Sequence, residues 1–490
     1  MDMEKNKDVN SYRSIFRSIS AFGGVQVFNI FISLLRGKFV AMFLGPAGMG
    51  ISALFATSAS TIQQICSLGV NQAVVKEVAS AKEKPGGASP VIRICIRLIL
   101  ATAILGAVAC ILLSPFISRL TFGDFSQTWS YVWLGLFVAL SIAGSGYLAI
   151  LQGLGEVKKL SKASLVGGCS GLLFGVPLYY FFGVEGIVPA MIILALSTFL
   201  FYFISFKSSR NEIQPVDDPG VSRDDVGNLV RRLISLGLVL LIGSFAGTLV
   251  QYVLVVFVET FGSRENVGLY QAANSITNQY IGIVFSALAM DYFPRLSAIS
   301  EDRHKLNMVV NRQIEIVALV AAPILMCLIF TAPLVIRVLL TEDFLPVISL
   351  MRWLGLGMMF QAIGFPFGYI FVARGDRKLF FWIECVWSNV LWLACSVGGY
   401  YFFGLTGLGV SLVVRNLVDI AVYSVICRWR YDVMFSAKTL RIMLPCLVLC
   451  TACFCVSLSE SVWAYVSMGL LFIISATASA IILKRRFRHS

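Results

Sequence analysis

Two cations, Arg36 and Lys38, interrupt a long apolar run in the stretch SLLRGKFVAMFLGPAGMG at 33–50. A central Arg or Lys costs roughly 2.5–3.5 kcal/mol on membrane-insertion scales, so such residues pair, snorkel to an interface or face a wet cavity. The residues before them favour the cavity. Gln26, Asn29, Ser33 and Arg36 recur at spacings of three, four and three, which puts all four on one face of a helix. Lys38 lies about 200° around the axis from Arg36 and joins that face only if Gly37 bends the helix. A second helix carries Ser60, Gln64, Ser67 and Asn71; farther on come Gln251, then Gln271, Asn274 and Asn278. Arg415 and Asp419, one helical turn apart, form an i,i+4 pair, and Arg352 is a cation within another apolar run.

These residue types bind rather than react. A guanidinium grips phosphate oxygens in a fixed fork, while amides and hydroxyls bond to sugar hydroxyls. The candidates for holding an anionic, hydroxyl-rich cargo are therefore Arg36, Lys38, Gln26, Asn29, Ser33, Gln64, Asn71, Gln251, Asn274, Asn278, Arg352, Arg415 and Asp419. No catalytic residue, metal ligand or cofactor site is expected. The two histidines, His304 and His489, fall outside the apolar runs. The one CxxC, Cys450 to Cys453, sits inside an apolar run beside Cys446 and Cys455 with no His or acid near it, which suits packing better than zinc. No GxxxxGK[ST] signals ATP hydrolysis.

The elements that must position these residues are membrane helices. Of 490 residues 58% are apolar and 13% charged, and mean hydropathy is positive, far from the composition of soluble domains. Runs long enough to cross a hydrocarbon core of ~30 Å occur at 18–43, 47–72, 98–118, 128–151, 163–182, 184–206, 233–258, 267–290, 313–334, 348–372, 379–402, 405–427, 442–458 and 461–483. The expected fold is an all-α polytopic membrane protein of about 14 spans, the first read as an uncleaved helix. A net charge of +13 would suit nucleic acid, yet its distribution follows the positive-inside rule. With both termini cytoplasmic, the exceptions are Arg36, Lys38, Arg119, Arg264, Arg337, Arg352 and Arg415, so the charge reports topology and no nucleic-acid partner.

The chain is also a duplication. PFISR at 115–119 matches PLVIR at 333–337, WLGL at 133–136 recurs at 353–356, GEVKKL at 155–160 resembles GDRKLF at 375–380, and YYFFGVEG at 179–186 recurs as YYFFGLTG at 400–407. The near-constant offset divides the chain into an N-lobe at 1–206, a cytoplasmic linker at 207–228, a C-lobe at 229–430 and two added helices with a basic tail at 431–490. Six spans per repeat give both lobes the same orientation, the arrangement that transporters use for rocking alternating access. Glycines four apart, such as Gly167, Gly171 and Gly175, or Gly364 and Gly368, let helices pack closely within a lobe.

GKFVAMFLGPAGMG at 37–50 resembles the first hairpin of the O-antigen and polysaccharide repeat-unit flippases, the Wzx-type branch of the multidrug/oligosaccharidyl-lipid/polysaccharide exporter superfamily. FGYIFVARGDRKLFFWIECV at 367–386 is similar to their junction between helices 10 and 11, and the resemblance spans roughly residues 15–430. It implies export of an undecaprenyl-pyrophosphate-linked oligosaccharide from the cytoplasmic to the periplasmic leaflet of a bacterial inner membrane. The implied partners are that substrate, membrane lipids, a polysaccharide polymerase and a chain-length regulator. The last two helices depart from the twelve-helix members and are similar to the added pair of fourteen-helix lipid II flippases. Three rival readings stand beside this one: a multidrug cation antiporter of the same fold, a lipid II flippase, and a membrane polymerase or ligase. The antiporter would want an acid where helix 1 has Arg36, and the polymerase would want a large outer loop.

Overall fold

The computed structural model describes the backbone of residues 2–82, 88–212, 223–299, 302–459 and 461–488. Side chains are described for 27–82, 88–209, 226–238, 241–282, 285, 292–299, 302–459 and 461–486. The protein is an all-α polytopic membrane protein, and no strand occurs among the described residues. Among the described residues ten helical stretches are long and apolar enough to cross a bilayer. Three of them, Val27–Ser67, Val157–Ser209 and Arg377–Tyr431, each take in all or part of two of the expected spans. The expected span at 267–290 lies in the helix Arg264–Ala298, which is not among those ten.

Glycines divide the long stretches. Helix α1, Asp2–Ser67, breaks at Gly45 (φ 64°, ψ −169°), a conformation open essentially to glycine alone, and Pro46 starts the second half with its φ already set. The expected second span at 47–72 is itself divided. Leu68 and Gly69 both take positive φ before α2, Val70–Lys82, begins. The cause is close packing: a Cβ on Gly69 would stand 2.1 Å from the carbonyl oxygen of Gly237, in the later helix α8, Arg223–Phe261.

Helices α3, Ser89–Leu112; α4, Ser114–Phe122; α5, Thr128–Leu154; α6, Val157–Phe182; and α7, Ile187–Glu212, complete the first compact unit, Met1–Phe261. The glycine face of α6 works as its spacing suggests. Cβ atoms on Gly167 and Gly171 would meet Thr198 and Leu194 of α7 at 2.9 and 2.4 Å. Helix α8, which the sequence repeat pairs with the second half, packs on α1 and α2 within this first unit.

The second unit, Gly262–Ser490, holds α9, Arg264–Ala298; α10, Arg303–Leu339; α11, Val347–Ala373; α12, Arg377–Phe380; a π-helical turn, Phe381–Trp387; α13, Ser388–Tyr431; α14, Ala437–Ser457; and α15, Val462–Arg488. Its first helix is capped by Ser263, whose side chain accepts from the Asn266 amide.

The duplication is visible in local geometry. Gly183 (φ 56°, ψ −130°) and Gly404 (φ 59°, ψ −141°) end the two YYFFG segments alike, and Gly155 and Gly375 share positive φ. Tyr179 and Tyr400 are buried while the three aromatics after each are exposed; Phe181 and Phe402 are 74% and 75% exposed. Aromatics presented in this way suit the bilayer interface.

Candidate functional site

In the first unit the helix-1 stripe makes a contact between helices. Asn29, on the helix-1 stripe, donates from Nδ2 to Ser164 Oγ of α6 at 2.9 Å, so part of that stripe joins two helices. Ser33, Arg36 and Lys38 are half-buried. Tyr179 of α6, itself buried, lies within electrostatic reach of Arg36. Among the described residues no carboxylate lies within ion-pair distance of Arg36. The side chain of Gln26 falls outside the described residues.

The second stripe forms a cleft of about 280 Å³ with α2 and α8. Ser60, Gln64, Ser67 and Asn71 line it as expected, facing Ser244 and Thr248 of α8. Gln64 Nε2 donates to Ser244 Oγ at 3.0 Å, and Asn71 Nδ2 to Ser145 Oγ of α5 at 2.8 Å. The cleft lining is polar but without charge, a surface suited to neutral hydroxyls. Gln251, on α8, is half-buried and lies outside that lining.

In the second unit the break at Gly404 turns α13 back on itself and brings together residues from its two halves. Arg415 Nε stands 3.3 Å from Asp419 Oδ2, closing the i,i+4 pair. Ser388 ties the halves: its hydroxyl donates to Asp419 Oδ2 at 3.2 Å and accepts from Arg415 Nη2 at 2.9 Å. The guanidinium lies over Trp392, 5.4 Å from the ring centre. This cluster faces a cavity of about 390 Å³ that is also lined by Gln361, Glu384 and Tyr423.

Glu384, absent from the sequence-derived candidates, also faces this cavity. It sits in the π-helical turn, whose wider winding departs from the 3.6-residue period, and Gly368 makes room for it: a Cβ there would meet Glu384 Oε1 at 2.5 Å. The signal in the sequence was an acid inside an apolar run.

The remaining candidates lie apart from this cluster. Asn278 Nδ2 bonds both the carbonyl and the side-chain oxygen of Asn274, at 2.8 Å each, along α9. Arg352 is buried, and its Nη1 donates to the Ser457 carbonyl at 2.6 Å, tying α11 to the end of α14. Glu315 is 4% exposed and held by Thr439 and Arg486. Cys450 and Cys453 are fully buried in the packing of α14.

A profile of the polysaccharide biosynthesis protein family matches residues 39–349. The chain belongs to that family. It is also similar to the lipid III flippases of Escherichia coli (strain K12) and Shigella flexneri, in each case 24% identical over 362 residues, 72% of this chain and 83% of the relative. Among solved structures it shares the fold of the lipid II flippase MurJ in an inward closed conformation (TM-score 0.71, 14% identity, covering 96% of this chain and 99% of that one). It likewise shares that of an inward-facing multidrug resistance MATE family transporter of the MOP superfamily (TM-score 0.66, 17% identity, 82% and 94%). The family match begins at Phe39, so Arg36 and Lys38 stand just before it.

Proposed function

We propose that the protein is a flippase of polysaccharide biosynthesis. It carries an oligosaccharide linked to undecaprenyl pyrophosphate, an O-antigen or similar repeat unit, from the cytoplasmic to the periplasmic leaflet of a bacterial inner membrane by alternating access. Both termini are cytoplasmic, and a repeat-unit polymerase and a chain-length regulator act beside it.

The observation that carries this reading is membership in a polysaccharide biosynthesis family by a chain that spans the membrane many times. The lipid III flippase relatives and a fold shared with a lipid II flippase support it. Arg36, with Lys38, receives the pyrophosphate. The uncharged cleft of Gln64 and Asn71 receives sugar hydroxyls, and the cavity of Arg415 and Asp419 in the second unit is a further polar site. With an inside-negative potential, outward movement of an anion is downhill by about 2.3 kcal/mol per charge per 100 mV, so the potential alone can drive export. Lipid II is the second reading of the cargo, favoured by a fold likeness that takes in α14 and α15. A cation antiporter is disfavoured by the guanidinium at Arg36.

The test is reconstitution in vesicles with a fluorescent, pyrophosphate-linked oligosaccharide lipid, scoring how fast its glycan becomes inaccessible to an external glycosidase. Wild type accelerates the exchange. Arg36→Ala and Arg36→Glu insert normally and slow it by at least about tenfold, the loss of one charge-assisted contact of ~1.5–3 kcal/mol. Exchange no faster than in protein-free vesicles refutes the flippase assignment; wild-type rates in both variants remove Arg36 from it.

A further inference from the structure

Three membrane helices of the second unit end together: α10 begins at Arg303, α14 at Ala437, and α15 finishes at Arg488. Between these ends lies a cavity of about 570 Å³ that none of the cargo candidates lines. Its floor is fixed by polar bonds. Asn311, 5% exposed, donates from Nδ2 to the Met434 carbonyl at 2.7 Å and accepts from the Ser436 amide at 2.8 Å, locking α10 to the turn before α14. Glu315, the acid of the lining, accepts from Thr439 at 2.9 Å and is neutralised by Arg486.

The rim is cationic and exposed: Arg312, Lys438 and Arg485, with His304. Among the described residues no carboxylate lies within ion-pair distance of Lys438 or Arg485. The cavity therefore has a fixed floor and a net positive mouth at the ends of three spans, where bilayer meets water. Its lip is apolar. Met308 is 56% exposed, and Leu444 and Val448 of α14 and Ile481 of α15 are exposed one to three turns deeper into the bilayer region. A charged socket above an apolar face matches an amphiphile, not a free ion.

We propose that this cavity binds the phosphate of an anionic membrane phospholipid, with acyl chains lying along α14 and α15. The proposal rests on the chain's spanning a bilayer and is independent of its cargo. On the positive-inside reading the bound lipid belongs to the cytoplasmic leaflet, whose anionic surface attracts such clusters.

The test uses the full chain in detergent. Retention of phosphatidylglycerol is followed by native mass spectrometry and by the thermal shift it confers, against phosphatidylethanolamine and inorganic phosphate. Wild type retains phosphatidylglycerol preferentially. The double variant Lys438→Gln/Arg485→Gln, which touches neither Glu315 nor Asn311, retains it about thirtyfold less, about 2 kcal/mol for two cations. Lys158→Gln/Lys162→Gln, exposed cations of α6, controls for net charge and leaves retention unchanged. Equal retention of the two phospholipids, or undiminished retention by the pocket variant, overturns the proposal. A shift reproduced by inorganic phosphate alone overturns the lipid as its source.

Discussion

Arg415 joins three partners through one guanidinium: Asp419, Ser388 and the face of Trp392. Asp419 is 6% exposed, so Arg415→Ala leaves a buried carboxylate with little beyond one hydroxyl, at a cost of about 1–3 kcal/mol. Replacing both charges by Leu removes that penalty, because a buried ion pair and an apolar pair of similar volume are nearly equivalent in stability. The expected outcome is a lowered thermal midpoint in Arg415→Ala, recovery in Arg415→Leu/Asp419→Leu, and no recovery of flipping. A double variant that both refolds and flips at wild-type rate makes the pair structural only. This pair was legible because i,i+4 spacing is a local code. Glu384 beside it was not, since a helical wheel assumes a regular period and the π-turn at Phe381–Trp387 breaks it. The partner of Asn29 was equally hidden: Ser164 lies 135 residues away, and nothing local links the two.

At the scale of elements, glycine and proline carried most of the legible information. The break at Gly45–Pro46 and the paired turns at Gly183 and Gly404 fall where the apolar runs were divided. The split at Leu68–Gly69 was missed because its cause is the backbone of α8 against Gly69, a contact with no signature in either segment. The turn after α11 gives a pH-dependent case. Asp376 caps α12, accepting from the Leu379 amide, and pairs with Arg430 Nη2 at 2.8 Å while Tyr431 donates to the same oxygen. Partial burial pushes its carboxyl up, but the Arg430 guanidinium and the donated hydrogen bonds outweigh burial and hold it below the usual carboxylate range. A depressed acid stabilises the fold above its unfolded pKa, and the contribution fades as pH falls through the lower folded value. Asp376→Asn keeps the cap and deletes the charge. It is expected to cost about 0.2–1 kcal/mol at neutral pH, since Arg430 is half exposed, with the gap to wild type closing below pH ~4. Thermal midpoints of both proteins across that range check it, and a gap that widens on acidification contradicts the assignment.

For the whole molecule, the duplication was legible because constant offsets survive where individual residues do not; the packing of α8 within the first unit was not, since a repeat records ancestry and not contacts. The last two helices pose the remaining question of scale, whether they are an appendage or part of the second unit. In water, removing α14 and α15 would expose apolar surface of α10 at great cost. In a bilayer that surface meets lipid tails as apolar as itself, so lost cover alone costs only packing. What decides the outcome is polar. Arg352 gives its hydrogen bond to the Ser457 carbonyl, and Glu315 is held by Thr439 and Arg486, so ending the chain after Tyr431 strands one cation and one acid inside the unit. Breaking a buried charged pair by deleting one partner costs about 3–5 kcal/mol, a large share of a typical total stability. The truncated chain is therefore expected to fall severalfold in membrane abundance and to lose its monodisperse peak in detergent. Adding Arg352→Leu and Glu315→Leu to the truncation should restore both. Wild-type abundance of the simple truncation, or no rescue by the two leucines, shows that charge satisfaction is not what binds these helices to the unit.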